Sequence, residues 1–90
     1  MQHTEPGSID ARFEWLANRI AELIKGGAAD RAGLAIGDEV IEVDGVSVVE
    51  LGSRDTMRVI TQRPAGTTAR LTILRGGQRR TIAVTVRSAD

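Results

Sequence analysis

The sequence contains no cysteine, no tyrosine, one phenylalanine, one tryptophan and a single histidine. Without cysteine there is no disulfide framework, thiol nucleophile or cysteine-based zinc site, and the redox compartment stays open. His3 lies in a polar stretch with Pro6 and Gly7. One histidine there leaves a Ser-His-Asp triad or a multi-histidine metal centre without its parts. Twelve basic residues balance twelve acidic ones, for a formal net charge of zero. The domain therefore has no strong field to steer it toward nucleic acid or anionic lipid, and Phe13 and Trp15 are too few for a base-stacking platform. No run approaches the roughly 18 apolar residues of a membrane span, and residues 1–6 lack the charged and apolar regions of a signal peptide. Neither nucleic-acid binding nor direct membrane insertion is expected. The chain reads either as cytoplasmic or as one domain of a longer exported protein, and the second is the expectation.

What is present is ordinary globular composition: 90 residues, 41% hydrophobic, 27% charged, with ten glycines. That length supports one hydrophobic core and one domain. The expected organisation is a flexible tail over residues 1–7, a folded domain over 8–87 and a short tail over 88–90.

Residues 9–16 (IDARFEWL) place Phe13 and Trp15 at even spacing with Arg12 and Glu14 between them, the period of a strand. Ala17-Asn18 suits a turn, and residues 19–24 (RIAELI) a return strand. An amphipathic helix over 12–25 is the rival reading, since Ala, Leu, Glu and Arg are good helix formers. Gly26-Gly27 breaks the pattern, and AADRA (28–32) is a helical turn closed by Gly33. EVIEV (39–43) runs into Asp44-Gly45, the strongest turn signal in the chain. Ser53 is the expected N-cap of a helix over 53–62, with Asp55 and Thr56 at the positive end of its dipole. Met57 and Ile60 share one face, Val59 is offset from them, and Pro64 stops the helix. Residues 68–74 and 80–86 alternate cleanly around Gly76-Gly77 and predict a terminal hairpin. Its inward sets are Ala69, Leu71 and Ile73, then Ile82, Val84 and Val86.

No catalytic constellation emerges. Ser8, Ser47, Ser53 and Ser88 have no histidine to act as base. Asp38 and Asp44 each adjoin a glycine, where aspartate holds a turn. Gly76-Gly77 joins strands and does not open a helix, so phosphate cradling has no support. Arg70, Arg75, Arg79, Arg80 and Arg87 are expected on a solvated face that protects a sheet edge. No cofactor, metal site or catalytic residue is expected, and the chain reads as a non-enzymatic module.

The stretch GGAADRAGLAIGDEVIEVDG (26–45) resembles the PDZ domain family, in particular the bacterial modules attached to envelope proteases. Its markers are Ala32-Gly33-Leu34, Gly37-Asp38 and Asp44-Gly45, continued by the helix over 53–62, the AGTT link (65–68) and the LRGG strand end (74–77). The resemblance spans roughly residues 9–86. It implies a mainly β fold with two helices (α+β), a partly open barrel or sandwich of five to six strands capped by one short and one longer helix. It also resolves residues 11–16 as a strand, and it implies a circularly permuted type whose usual first strand is supplied by residues 80–86.

Function, by this resemblance, is peptide binding. An extended segment, a protein C-terminus or an internal stretch, would add to the edge of strand 11–16 opposite the helix. The loop over 8–11 would receive a terminal carboxylate. The implied site residues are Ile9, Asp10, Ala11, Arg12 and Phe13 on the loop and strand, and Asp55, Val59 and Gln62 on the helix. Asp10 stands where the family usually has glycine. Its charge would repel a bound carboxylate, with Arg12 placed to compensate. Asp55 would either favour a cationic or hydroxyl-bearing ligand side chain or serve the helix N-terminus. The module would recruit or sense chain ends or unfolded segments for a protease-related protein; the alternative is a structural brace, or a regulatory module, between domains of the same protein. A bacterial periplasm or envelope location is implied by the family likeness only.

Overall fold

The computed structural model describes residues 7–14 and 17–88, so Trp15 and Leu16 of the expected edge strand, and residues 1–6 of the expected tail, lie outside the described residues. In chain order the elements are β1 (Ala11–Phe13), β2 (Ile20–Leu23), α1 (Ala28–Ala32), β3 (Glu39–Val43), β4 (Val46–Ser47), α2 (Ser53–Thr61), β5 (Thr68–Arg75) and β6 (Gln78–Thr85). The fold is mainly β with two helices, as expected. All strand pairs are antiparallel, in a two-stranded sheet, β1-β2, and a four-stranded sheet ordered β4-β3-β5-β6. Residues 19–24 are thus the return strand and not half of a helix. A bridge between Arg19 and Glu39 and the bonds Ile20 N–H to Asp38 O and Val40 N–H to Asn18 O join the sheets at one corner.

The terminal hairpin supplies the core's centre. Ala69, Leu71 and Ile73 alternate inward on β5, and Val84 and Val86 face them from β6 and its continuation, all fully buried. Strict alternation in EVIEV would bury Val40 and Glu42 together. Instead the ladder to β5 shifts register between Val40 and Glu42, a bulge that turns Glu42 aside and buries Val43. Asp44 (φ 52) and Gly45 (φ 83) are both left-handed, the geometry of a type I′ hairpin turn.

In α2, Thr56 and Ile60 are buried and Met57 packs on the core from the same side of the chain. The N-cap stands one residue earlier than the sequence suggests. Gly52 is the N-cap, extended at φ −70 and ψ 168, with no side-chain cap bond, and Ser53 is the first helical residue. Ser53 therefore lies within the first turn and does not cap it.

Two of the late arginines also depart from the expected solvated face. Arg75 donates from Nε and Nη2 to Asp38 and from Nη2 to the Gly33 carbonyl, and Asp38, 1% exposed, also accepts the Ala35 N–H. This pair ties the end of α1 and the start of β3 to the end of β5. Arg87 is likewise paired, with Asp10.

Leu71, central in β5 and fully buried, measures how much the core carries. Leu71→Ala should lower unfolding free energy by about 2–5 kcal/mol, read as a reduced urea midpoint with unchanged slope.

Candidate functional site

The segment before β1 is built by main-chain bonds to three other parts of the chain. Gly7 N–H donates to Thr61 O (3.0 Å) at the end of α2, and Ser8 exchanges bonds with Arg87 in both directions. A Cβ on Gly7 would lie 2.2 Å from Val86 Cγ1, so only glycine permits this approach. Ahead of β2, Asn18 Nδ2 donates to the carbonyls of Val48 (2.9 Å) and Leu51 (3.2 Å), just before α2. The segment before β1 is thus tied to the end of α2, and the residue leading into β2 to the loop before α2.

β1 pairs with β2 on one edge only. Ile24 N–H donates to Asp10 O, and Glu14 N–H to Arg19 O, so residues 10 and 14 direct main-chain groups toward β2. Alternation turns the main-chain groups of Ala11 and Phe13 to the other edge, which has no strand partner among the described residues. The strand ends at Phe13 with Glu14 beyond it, and Trp15 and Leu16 of the expected 11–16 lie outside the described residues.

The eight sequence-derived site residues divide into two groups in space. Ile9 (1% exposed) and Phe13 (5%) belong to the core and position the strand without presenting side chains to solvent. Ala11 is half-buried on β1, and Arg12 is exposed. Asp55 and Val59 are exposed one turn apart on α2, and Gln62, expected within the helix, is its exposed C-cap at ψ 66. Asp55 is also the acidic residue of the helix's first turn, where it complements the N-terminal dipole.

Asp10 behaves differently from the sequence expectation. It takes the left-handed backbone (φ 60) that glycine usually provides, a conformation aspartate tolerates better than most residues. Its side chain is buried, 5% exposed, and turned away from the free edge. Oδ2 accepts the Ala28 N–H at 3.0 Å and Arg87 Nε at 2.7 Å, and Arg87 Nη2 bonds Oδ1. The compensating cation is Arg87 and not Arg12, which instead donates to Glu22 and to Phe13 O. Gly27, the N-cap of α1, has no side chain to cap that helix, and a Cβ there would meet Asp10 Cβ at 2.4 Å. Asp10 thus caps α1 from a distant part of the sequence, and Gly27 is what lets it approach. Asp10 N–H is accepted by Ser8 Oγ (3.1 Å). Arg87, Gly27 and Ser8 escaped the sequence reading because their roles depend on neighbours far along the chain.

Hydrogen bonding from Arg87 holds the Asp10 carboxyl below the ordinary 3.8 despite its burial. Burial works to raise Asp38, but the bonds from Arg75 and Ala35 N–H outweigh it and leave its pKa lowered. Asp44 is lowered by the Arg70 N–H and by Arg63.

An open strand edge, with two small sheets and two helices around it, defines a compact β domain of a known kind. The PDZ domain family matches residues 7–86, and the chain belongs to that family. Solved structures agree in fold. The HtrA-type protease AlgW, solved with a decapeptide, superposes with a TM-score of 0.78 at 20% identity, covering 91% of this chain and 29% of the protease. A serine endoprotease from Yersinia pestis gives 0.71 at 23% identity over 91% of this chain and 30% of that one. An aminopeptidase N family protein from Idiomarina loihiensis gives 0.71 at 18% identity, covering 89% and 14%. The chain therefore corresponds to less than a third of each of these proteins. No curated protein matches the sequence. The PDZ part is a non-catalytic module, whatever the chemistry of the chains that carry it.

Three lowered carboxylates set the acid sensitivity. Asp10, Asp38 and Asp44 bind protons less readily folded than unfolded, so the unfolded chain takes up more protons as pH falls. Their stabilisation is complete above about pH 4 and is lost as pH drops through the lowered folded values. Urea unfolding from about pH 7 to about pH 2 should show that loss, and Asp10→Asn should flatten it. A profile unchanged by the substitution would count against Asp10 as a contributor.

Proposed function

We propose that the domain binds an extended peptide, which adds as a strand to the free edge of β1 while its side chains meet Asp55, Val59 and Gln62 of α2. The observation that carries this reading is the edge of β1 that has no strand partner among the described residues, with Gly7 before it bonded to the end of α2 and Asn18 after it bonded just ahead of α2. Main-chain pairing supplies affinity at such an edge, and the flanking helix supplies selectivity. Family membership and the decapeptide in the AlgW structure support it. Asp55 favours a cationic or hydroxyl-bearing ligand side chain, and Val59, 39% exposed, an apolar one.

The partners are a protein C-terminus or an internal extended segment, presented for a larger, protease-related protein in the bacterial periplasm or envelope. The likeness to HtrA-type proteases supports that setting. Among the described residues no helix is long and apolar enough to cross a membrane. Residues 8–87 form the folded module, and Gly7, expected in the flexible tail, is bonded to Thr61 at its entry.

A second reading is a brace between domains whose groove does not take a carboxylate. The bond from Asp10 N–H to Ser8 Oγ favours it, because that amide belongs to the loop a carboxylate would enter. Amide-resolved titration with hydrophobic-ended peptides, first with free and then with amidated C-termini, separates the readings. Peptide binding should shift residues 9–14 and 53–62. Shifts that vanish on amidation mark carboxylate capture, and shifts that persist mark internal segments. No shift with any peptide favours the brace. Val59→Asp should weaken an apolar-ended peptide about tenfold without unfolding the domain.

A further inference from the structure

A second concavity lies away from the β1 edge, between the β2–α1 connection, α1 and the end of β6. Its volume is about 700 Å³, within the range of ligand sites, and its lining includes Lys25, Arg31, Arg87, Ala83 and Thr85. The chain as a whole is neutral, yet three cations converge here. Arg87 is engaged by Asp10, also in the lining. Among the described residues, the side chains of Lys25 and Arg31 have no hydrogen-bond or ion-pair partner. Asp30 is near them, its carboxylate occupied by the Gly26 N–H.

The wall opposite these cations is main chain. β6 is the outermost strand of the four-stranded sheet. Val86 N–H donates to Thr67 O and Val86 O accepts from Gly66, both toward β5, whereas Arg87 exchanges both of its bonds with Ser8 on the outer side. Alternation sends the main-chain groups of Thr85 and Ala83 to that same outer side, into the concavity. Ser8 opposite Arg87 is thus the first rung of a ladder whose next rungs have no strand partner among the described residues.

We propose that this concavity is a second peptide site, one that takes an acidic extended segment of a protein partner: its main chain continues the ladder on Ala83 and Thr85, and its carboxylates meet Lys25 and Arg31. Two features favour a peptide over a small anion or a nucleotide. The open strand edge matches an extended backbone, and among the described residues no aromatic side chain lines the cavity to stack a base. Charge complementarity selects acidic side chains.

The test uses isotope-labelled protein and a short peptide of alternating glutamate and valine with both ends blocked, its glutamine counterpart, and inorganic phosphate. The glutamate peptide should shift the amides of Gly26, Gly27, Ala83 and Thr85 saturably, about tenfold more tightly than the glutamine peptide. The Lys25→Gln/Arg31→Gln double variant should lose about tenfold in affinity for it while leaving Asp10–Arg87 and the fold intact. Equal binding of the two peptides, or undiminished binding by the double variant, overturns the proposal. So does phosphate reproducing the full pattern, which would mark an anion site alone. Shifts confined to residues 11–13 and 53–62 would also overturn it. Because the probe's ends are blocked and its signals lie elsewhere, failure here leaves the β1 reading standing, and failure there leaves this one.

Discussion

The carboxylate of Asp10 holds together three segments that are remote in sequence. It accepts the Ala28 N–H at the start of α1, it pairs with Arg87 beyond the end of β6, and its own backbone opens β1. A buried carboxylate without such partners would carry a large desolvation cost, so the two hydrogen-bonding neighbours and the αL backbone come as a set. Gly27 clears the space for it, and the bond from Ala29 N–H to Ile9 O seats the same loop on α1. The edge strand is placed by this junction, and the family's usual glycine is replaced without losing its backbone conformation.

Electrostatics elsewhere follow the same logic of one acid serving several distant donors. Asp38 joins Arg75 to the Ala35 N–H, while Asp44 joins the Arg70 N–H to Arg63, whose guanidinium also reaches the Val59 and Thr68 carbonyls. The second network connects the exposed stripe of α2 to the β3–β4 turn. In a domain of this size, with a modest core, such charge-assisted links between elements supply rigidity where loops would otherwise set the geometry. They tie α1 and β3 to the end of β5, and α2 to the β3–β4 turn.

Two strand edges result, and they differ in chemistry. The segment before β1 is bonded to the end of α2, whose exposed side carries an apolar residue and one carboxylate, whereas the β6 edge faces Lys25 and Arg31.

Local pattern sufficed for much of the architecture. The hairpin around Gly76-Gly77, the Asp44-Gly45 turn, the stub helix ending at Gly33 and the helix before Pro64 are all written in period-2 alternation, turn residues and breakers, which act over a few residues. Asp55, Val59 and Gln62 as ligand-facing residues came from the family resemblance and not from local pattern. What the chain alone left undecided was everything set by partners far apart: the bulge that buries Val43 where alternation would bury Glu42, the start of α2 at Ser53, and the cation that neutralises Asp10. Arg12 is adjacent to Asp10 in sequence, but strand geometry places it across from Glu22, whereas Arg87 arrives only when β6 closes the sheet. Composition and periodicity determine which residues turn inward; which charges meet is determined by how the strands are ordered, because an ion pair needs contact in space and carries no trace in local spacing.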